Sequence, residues 1–569
     1  MEAVLWIGGV IAALYVLRWR FKRPLTTHGS AAWASLWKIY RKGFMRPGGV
    51  LVGDWYGLSG VHYAGNGHLL TVAPTGTGKG VTAIIPNLLR YEHLFVCDFG
   101  GENTAIAAKE WRRKGLTFYC LNPWKMHAGA PAALPSHSVN PLDLLIPESE
   151  SFVSDAELLA EMIIVRSGNE SQSTGFFNDE AQSGLKALLM HAAMVEKPER
   201  RNLATIRDYI TSNTERWEAL IAAMQATEQT WAKAVLHEAD QMARRNEQAP
   251  EEFSGVLSTM KRCTNFLDDP IVERFLSQSD TRFTDLKGDR GCVISFVMPL
   301  ENKDSYSSLT RLILGIMLLT MQRPPLARRR VLFVLDEFAS LGRVARVANG
   351  LATLRKYRVW LWPIFQNIGQ IRDLYGTGWE GFVANAELKQ FIGAWDYETA
   401  EYVSKLCGDA TVEVVSEGEK DRRTKSHARR RLITPEEVMR MTDRQVAIIG
   451  SLAPMFLATR PYWERPSLRG KFYDNPYHSG TPKLPFSTPW RVLSGAGIKL
   501  LAWALAPGLT AACLYIAAAV FYAQPVVNRG EGFSEGRHVC DYLGLQGKTS
   551  YYVSGACPRV LWWFNRADE

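Results

Sequence analysis

The sequence has few cysteines, and none of them is paired at metal-binding spacing. It contains 8 cysteines in 569 residues without a C-x-x-C motif, which excludes the zinc sites that use this spacing. Only Cys540 and Cys557 lie together in the carboxyl-terminal tail, where an oxidising compartment would permit a disulfide, and we predict one there. The remaining cysteines are scattered singly and indicate no metal site.

Long uncharged runs are also scarce, and the first is short for a bilayer, although Trp19 and Phe21 with snorkelling arginines could extend it to a thin span. Residues 3–17 carry no charge and precede Arg18, Arg20, Lys22 and Arg23, the reverse of the order in a cleaved signal peptide. Residues 500–523 form the second run, preceded by Arg491 and Lys499. Each run could be a buried core helix. As membrane spans, they place the body in the cytoplasm and both termini outside, by the positive-inside rule.

Composition sets broad limits on the protein class. An apolar content of 47% excludes wholesale disorder, and the length supports two or three domains. The formal charge of +9 favours polyanionic partners such as nucleic acid or lipid headgroups, although the excess is modest.

A glycine-rich stretch near the amino end has the pattern of a phosphate-binding loop. Residues 69–72 indicate a buried strand, residues 74–80 a loop, and residues 81–89 a helix. Glycines free the backbone N–H groups to converge on phosphate, and Lys79 would reach the outer phosphates. The nucleotide contacts are predicted at Thr75, Gly76, Thr77, Gly78, Lys79, Gly80 and Val81. A glycine-rich turn without a ligand is the alternative interpretation.

This loop departs from the general G-x-x-x-x-G-K-[ST] pattern at two positions. Ala73 replaces the first glycine, and Gly80 replaces the hydroxyl residue that usually holds Mg²⁺. Thr77, Thr82 or water could take that place.

An acidic pair follows a second apolar run far downstream. Residues 331–335 are apolar and are followed by Asp336 and Glu337. A buried parallel strand delivers its last residues to the carboxyl edge of the sheet, where ligands of α/β folds bind. We therefore predict that Asp336 holds Mg²⁺ and that Glu337 polarises the attacking water. A solvated strand end is the alternative, and the loop around Lys79 makes nucleoside triphosphate hydrolysis the stronger interpretation.

Strand and helix patterns alternate on both sides of a long helical stretch. Strands are predicted at residues 93–98, 116–121, 292–297 and 359–362, which indicates a doubly wound, mostly parallel sheet. Residues 147–289 show helical spacing, with a capping box predicted at Ser154 to Glu157. Residues 416–431 are rich in Lys and Arg and are predicted to be a mobile charged loop.

Several motifs in order resemble the VirD4/TraG group of type IV secretion coupling ATPases, distantly related to FtsK-type translocases. They lie at residues 27–34, 73–81, 85–89, 140–143 and 335–342, and at Gln366 and Gln370. The resemblance implies a P-loop ATPase fold of the RecA-like, additional-strand type with an inserted all-α domain. In that group a glycine after the P-loop lysine is usual. The group reads Asp-x-Lys-Gly-Glu where this chain has Gly100, so a role for that lysine is not carried over.

The resemblance also implies roles for two further residues. Gln366, at the tip of the strand beside the acidic one, would contact the attacking water or the γ-phosphate. Arg355 matches the position from which an arginine reaches the nucleotide of a neighbouring subunit, with Arg358 as its nearest competitor. A solvated surface arginine is the alternative for Arg355. ATP and Mg²⁺ are the implied cofactors, and a hexamer is the implied assembly.

The resulting hypothesis is an ATPase of the bacterial inner membrane that couples hydrolysis to transfer through a type IV secretion channel. Single-stranded DNA with its relaxase is the expected cargo. Effector proteins are the close alternative, and a substrate receptor or scaffold without motor activity is an alternative of another class. The predicted divisions are an anchor (1–24), a basic connector (25–67), a nucleotide-binding domain (68–146 and 290–475), an all-α insertion (147–289), a linker (476–497), a membrane helix (498–524) and a periplasmic tail (525–569).

Overall fold

The computed structural model describes residues 26–55, 59–164, 171–228, 231–418 and 422–478, and four strands of the carboxyl-terminal segment. The chain forms two compact units, residues 1–481 and 482–569. The predicted span at residues 3–17 lies outside the described residues. The span predicted at 498–524 also lies outside them, except that Ala523 and Gln524 begin a strand. No helix among the described residues is both long and apolar enough to cross a bilayer.

An eleven-stranded sheet organises the first unit. Its strands are β1 (Val50–Trp55), β2 (Ser59–Tyr63), β3 (His68–Val72), β4 (His93–Phe99), β5 (Thr117–Leu121), β6 (Cys292–Met298), β7 (Val331–Leu335), β8 (Val359–Phe365), β9 (Ala386–Phe391), β12 (Arg444–Ile449) and β13 (Met455–Ala458). A separate hairpin is formed by β10 (Asp409–Gly418) and β11 (Arg422–Arg431).

The strand order places the predicted site strands side by side. The order is β2-β1-β13-β12-β9-β3-β8-β7-β4-β6-β5. Strands from β9 to β5 in this order run parallel, and the four at the other end are antiparallel. The strand before the glycine loop, β3, is therefore separated from the acidic strand β7 only by β8. The mostly parallel sheet predicted from the sequence is present.

Helices lie on both faces of this sheet, and most of those between β5 and β6 pack mainly against one another. They are α1 (Leu36–Arg41), α2 (Ile85–Leu88), α3 (Glu102–Arg113), α4 (Phe152–Ile163), α5 (Gln172–Val195), α6 (Leu203–Thr211), α7 (Thr214–Gln225), α8 (Ala232–Gln248), α9 (Pro250–Cys263), α10 (Pro270–Phe275), α11 (Ser307–Gln322), α12 (Ala345–Thr353), α13 (Ile368–Tyr375), α14 (Trp379–Ala384), α15 (Tyr397–Cys407) and α16 (Pro435–Met439). A wide helical turn, Gly80–Ile84, precedes α2.

Short 3₁₀ turns join several of these elements. They lie at Pro141–Leu144, Pro198–Arg200, Asn265–Asp268, Phe283–Lys287, Leu300–Asn302, Phe338–Leu341, Leu354–Tyr357, Gly376–Gly378, Tyr462–Glu464 and Pro466–Leu468.

Two hydrophobic cores lie on opposite faces of the sheet because side chains alternate along each strand. In β3, Leu70 belongs to the core shared with α4, α5 and α11, whereas Leu69 belongs to the core shared with α2 and α3. Both side chains are almost fully buried. Burial on both faces is what a near-continuous apolar strand requires, and it holds the end of β3 in a fixed position.

The predicted connector, residues 25–67, contains the outer strands of the sheet. β1 pairs antiparallel with both β2 and β13, and the Asn87 side chain on α2 exchanges hydrogen bonds with the backbone of Leu51 at 2.7 and 2.9 Å. The stretch predicted to be a connector therefore contributes ordered strands to the sheet of the first unit.

The prediction of a mobile loop at residues 416–431 was wrong. Ten residues of β10 pair in register with ten of β11. Val412 and Val414 in the first strand favour extended structure, and opposite charges face each other at Asp409 and Arg431. The high charge of the second strand concealed this pairing.

The helix start predicted at Ser154 was wrong. α4 begins at Phe152, so Ser154 lies inside the helix and its hydroxyl donates to the carbonyl of Ser151. In contrast, Thr434 and Glu437 form a reciprocal capping box at the start of α16.

The second unit contains a four-stranded antiparallel sheet in the order β16-β15-β14-β17. Its strands are β14 (Ala523–Ser534), β15 (Arg537–Gly544), β16 (Gly547–Val553) and β17 (Val560–Phe564). Cys540 lies on β15, and Cys557 lies outside the described residues, so the disulfide stays a prediction.

Replacing Gly49 by alanine should destabilise the first unit strongly. Gly49 has φ +71°, and a Cβ there would lie 2.0 Å from the Tyr63 carbonyl oxygen, which β1–β2 pairing holds in place. We expect Gly49→Ala to lower the free energy of unfolding by about 3 kcal/mol or more. Gly43→Ala is the control, since Gly43 has φ +80° but open space around its Cβ, and should cost about 1 kcal/mol. Equal decreases in the midpoint of thermal unfolding for Gly49→Ala and Gly43→Ala would contradict the steric argument.

Candidate active site

The candidate site is built around an ion cluster between Lys79 and the two carboxylates after β7. The Lys79 ammonium contacts Glu337 Oε1 directly and lies 3.2 Å from Asp336 Oδ1. The side chain of Lys79 is 14% exposed, that of Glu337 is 19% exposed and that of Asp336 is 14% exposed. Residues more than 250 positions apart meet because β3 and β7 run parallel and end at the same edge.

Burial and charge act in opposite directions on these groups. Burial alone would lower the pKa of Lys79, but the neighbouring Asp336 and Glu337 carboxylates raise it above its ordinary value. Burial likewise opposes ionisation of Glu337, yet Lys79 holds the pKa of Glu337 below its usual range. Burial dominates at Asp336 and raises its pKa. Lys79 therefore favours the ionised form of Glu337 more strongly than burial opposes it.

Gln366 completes the cluster from the strand between β3 and β7. It follows β8, and its side-chain amide donates to Glu337 Oε2 at 2.8 Å. Its own backbone N–H donates to the Gln370 side chain at 2.9 Å, which fixes the turn after the strand. Both oxygens of Glu337 thus accept hydrogen bonds, one from Lys79 and one from Gln366.

The loop before Lys79 has the backbone conformation that its glycines permit. Gly76 and Gly78 have φ of +84° and +80°, a region that residues with a Cβ rarely adopt. The Thr75 and Gly76 positions are exposed, and Thr77 to Val81 are partly buried. The predicted nucleotide contacts therefore form one accessible stretch of chain, which includes Lys79 of the ion cluster.

The residues present fit a magnesium ion only in part. Asp336 supplies a carboxylate, the type of ligand that Mg²⁺ prefers. The Thr77 and Thr82 hydroxyls donate to the carbonyls of Pro74 and Gly78 at 2.7 and 2.8 Å, which leaves their oxygen lone pairs available. Within the described residues, no group of three His, Cys, Asp or Glu side chains could hold a metal by itself. Mg²⁺ bound here would need water or phosphate oxygens as further ligands.

A second buried carboxylate, Asp98, lies at the end of the neighbouring strand β4. It accepts hydrogen bonds from the Thr104 backbone at 2.7 Å and from Asn103 Nδ2 at 3.0 Å. Burial raises its pKa to about 7, and those hydrogen bonds oppose the rise. The Asn103 side-chain oxygen also lies 3.5 Å from where a Cβ on Gly80 would be. Asp98 thus supports the start of α3 beside the glycine loop.

Gly100, where the related group has lysine, is held by its backbone. It has φ +90°, and its carbonyl accepts hydrogen bonds from His127 and Tyr477 at 2.8 and 2.7 Å. Because glycine has no side chain, this position cannot contribute a charge to the cluster.

Arg355 is not brought to the cluster within the chain. It lies in the turn Leu354–Tyr357 before β8, at the edge of the sheet opposite Lys79. It is exposed and lines a cleft of about 580 Å³ with Asn66, Arg330, Thr353 and Lys356. Its predicted role in a neighbouring subunit stays a prediction.

Two residues beside the site were missed at the sequence level. Asn103 follows the family-like Glu102 and gave no separate signal. Trp395 comes four residues after β9 and lies against the glycine loop, with Gly393 as the only hint of close backbone approach.

Comparison with known proteins places these features in a family context. The family model for type IV secretory system conjugative DNA transfer matches residues 32–482. Conjugal transfer protein TraG of Escherichia coli is 29% identical over 477 residues, covering 75% of this chain and 73% of that protein. Protein VirD4 of Agrobacterium fabrum is 25% identical over 470 residues, covering 78% and 67% respectively.

The fold is shared with solved coupling-protein structures. The plasmid coupling protein TrwB, in complex with ADP and Mg²⁺, aligns with a TM-score of 0.57 at 19% identity. The alignment covers 78% of this chain and 95% of TrwB. The α/β P-loop fold predicted from the sequence is therefore confirmed.

Replacing Asp98 by asparagine should flatten the pH dependence of stability. Because burial raises the pKa of Asp98 from 3.8 to about 7, the native state binds a proton that the unfolded state releases. Stability from this group is present below about pH 4 and is lost as pH rises to about 7, with a slope up to about 1.4 kcal/mol per pH unit. Denaturant unfolding without nucleotide or Mg²⁺ measures this slope.

The Asn103 amide can rotate to accept from the new side chain, so Asp98→Asn should fold. Asp208→Asn, at a side chain 69% exposed, is the control and should leave the slope unchanged. If the free energy of unfolding changed with pH equally in the Asp98→Asn variant and the unaltered protein, the raised pKa of Asp98 would be contradicted.

Proposed function

The chain belongs to the type IV secretory system conjugative DNA transfer family, and we propose that it hydrolyses ATP to drive substrate transfer through a secretion channel. The meeting of Lys79, Asp336, Glu337 and Gln366 at one sheet edge is the observation that carries this proposal. It supplies a cation for phosphate, a carboxylate for a metal, and an ionised base beside a hydrogen-bond donor.

ATP and Mg²⁺ are the cofactors that this site suits. The similar protein TrwB was solved with ADP and Mg²⁺. The glycine loop here has the positive-φ backbone that lets N–H groups converge on phosphate. Residues from Thr75 to Val81 would bind the phosphates, and Asp336 would hold the metal. Mg²⁺ would supply charge neutralisation for the transferred phosphoryl group.

Lys79 has to exchange partners for this chemistry. In the structure its ammonium occupies Oε1 of Glu337 and lies beside Asp336. Phosphate oxygens compete for the same ammonium, so triphosphate binding would free Glu337 to accept a proton from water. Gln366 would keep the other carboxylate oxygen in place and orient that water. In this scheme Glu337 does not activate water until triphosphate has bound.

We propose that Arg355 acts on the nucleotide of a neighbouring copy. It lies at the amino edge of the parallel strands, so it cannot reach Lys79 of its own chain. A guanidinium contributed across an interface stabilises charge on the transferring phosphoryl group and makes turnover depend on assembly. A ring, with six copies as the expected number, satisfies this requirement.

Family membership favours single-stranded DNA with its relaxase as the cargo, carried in conjugative transfer. Effector proteins are the alternative cargo, and a scaffold without motor activity is the alternative role. We further propose anchoring in the bacterial inner membrane by residues 3–17 and 500–523, with the first unit in the cytoplasm. The uncharged runs and their basic flanks support this placement.

Substitutions of Glu337 and Lys79 should separate hydrolysis from binding. Glu337→Gln removes the base but keeps side-chain shape, so we expect ATP turnover to fall at least about 100-fold while ATP still binds. Lys79→Ala should lose both binding and turnover. Glu380→Gln, the same change at an exposed carboxylate, should alter neither.

Transfer measured in cells with these variants tests the function itself. We expect both Glu337→Gln and Lys79→Ala to abolish DNA transfer. Normal transfer with ATP turnover absent would leave only the scaffold role. Stimulation of turnover by single-stranded DNA, and not by cargo protein, would favour DNA as the cargo.

Mixing two inactive variants should restore turnover if Arg355 acts in trans. In a mixed assembly, an Arg355→Ala protomer keeps its base and can receive the arginine of a Glu337→Gln neighbour. Arg358→Ala is the matched control, since Arg358 donates to the Arg328 carbonyl at 2.6 Å and should not need rescue. No recovery in mixtures that co-assemble would rule out the trans role.

A further inference from the structure

The loop that follows β9 packs directly against the glycine loop. A Cβ on Gly76 would lie 3.3 Å from Cη2 of Trp395, and a Cβ on Gly393 would lie 3.3 Å from Cγ2 of Thr77. Gly393 has φ +72°, so the chain turns sharply there to bring the tryptophan over the loop. Two glycines, one on each side, make this close approach possible.

Trp395 is more exposed than a large apolar side chain usually is. Its side chain is 60% exposed, although it is large and apolar and lies beside the predicted nucleotide contacts. Among the described residues, no aromatic ring and no cation faces its indole. The next residue, Asp396, is committed to the start of α15, because its carboxylate accepts from the Thr399 backbone at 2.7 Å. The backbone beside Trp395 is therefore fixed, while most of the indole surface stays exposed.

The strand order indicates which part of a nucleotide would lie there. β9 lies on one side of β3, and β8 and β7 lie on the other. The carboxylates of Asp336 and Glu337 follow β7, so the metal and the terminal phosphate belong to that side. A nucleotide whose phosphates run along residues 75–81 would direct its nucleoside toward the opposite side. Trp395 lies on that side, against Gly76.

We propose that Trp395 forms the stacking surface for the nucleobase, an inference that depends on the proposed nucleotide site. An aromatic ring stacks on any base, because every base presents a π face. The exposed indole, with its edge next to Gly76, would thus hold a purine on its ring face without selecting a particular one. It would orient the nucleoside so that the phosphates lie along the glycine loop toward Lys79.

The test compares ligands that have and lack a base, using the full chain purified in detergent. Binding of ATP, GTP and inorganic tripolyphosphate, each with Mg²⁺, is measured by calorimetry. For Trp395→Ala we expect roughly 10-fold or greater weakening of both ATP and GTP, and no change for tripolyphosphate. Trp395→Phe keeps a ring and should restore most of the affinity. Trp37→Ala, at a tryptophan on α1 that is 64% exposed, is the control and should change none of the three.

The outcomes separate this inference from the proposed function. Normal ATP affinity in Trp395→Ala would overturn the stacking role alone. Equal weakening of ATP and tripolyphosphate would also overturn it, since the side chain would then act only by supporting the loop. Failure of the unaltered protein to bind ATP would overturn the proposed function, and the stacking role with it.

Discussion

The contact between the Lys79 ammonium and the carboxylates of Asp336 and Glu337 is the interaction on which the site depends. Two negative side chains brought side by side in a largely buried place would repel each other and lose hydration. The lysine offsets these costs at Glu337 and reduces them at Asp336, and it can do so only because β3 and β7 end at one edge of a parallel sheet. The same ammonium is the group that phosphate would attract. One side chain therefore stabilises the acidic pair and also carries the charge that would bind phosphate.

The two edges of the parallel strands carry different groups of charged side chains. Its carboxyl edge carries the acidic pair, the glycine loop and Gln366, whereas its amino edge carries the exposed Arg355 beside Arg330 and Lys356. Seven-residue strands such as β8 separate the two edges by roughly 23 Å, given about 3.3 Å per residue. A protomer cannot fold back to join them, so any reaction that uses both edges needs a second copy.

Sequence patterns predicted the centre of the fold better than its periphery. Lys79, Asp336, Glu337 and Gln366 were predicted to meet, because buried parallel strands have a simple apolar pattern and share one edge. The outer strands β1 and β2 were harder to predict, since their aromatic and basic neighbours resemble a connector. The hairpin of β10 and β11 was missed because Arg and Lys dominate its second strand, although Val412 and Val414 lie opposite. Trp395 was missed because local sequence does not show that its side chain lies beside Gly76.

Glu337 adopts a left-handed backbone conformation, with φ of 48°. For a residue with a Cβ, this conformation costs on the order of 1 kcal/mol, whereas glycine would adopt it freely. The contact of the Glu337 carboxylate with Lys79 offsets this cost, and glycine could not make it. Unfolding would therefore release backbone strain at Glu337 and at the same time separate the ion pair, so the two contributions to stability at this residue have opposite signs.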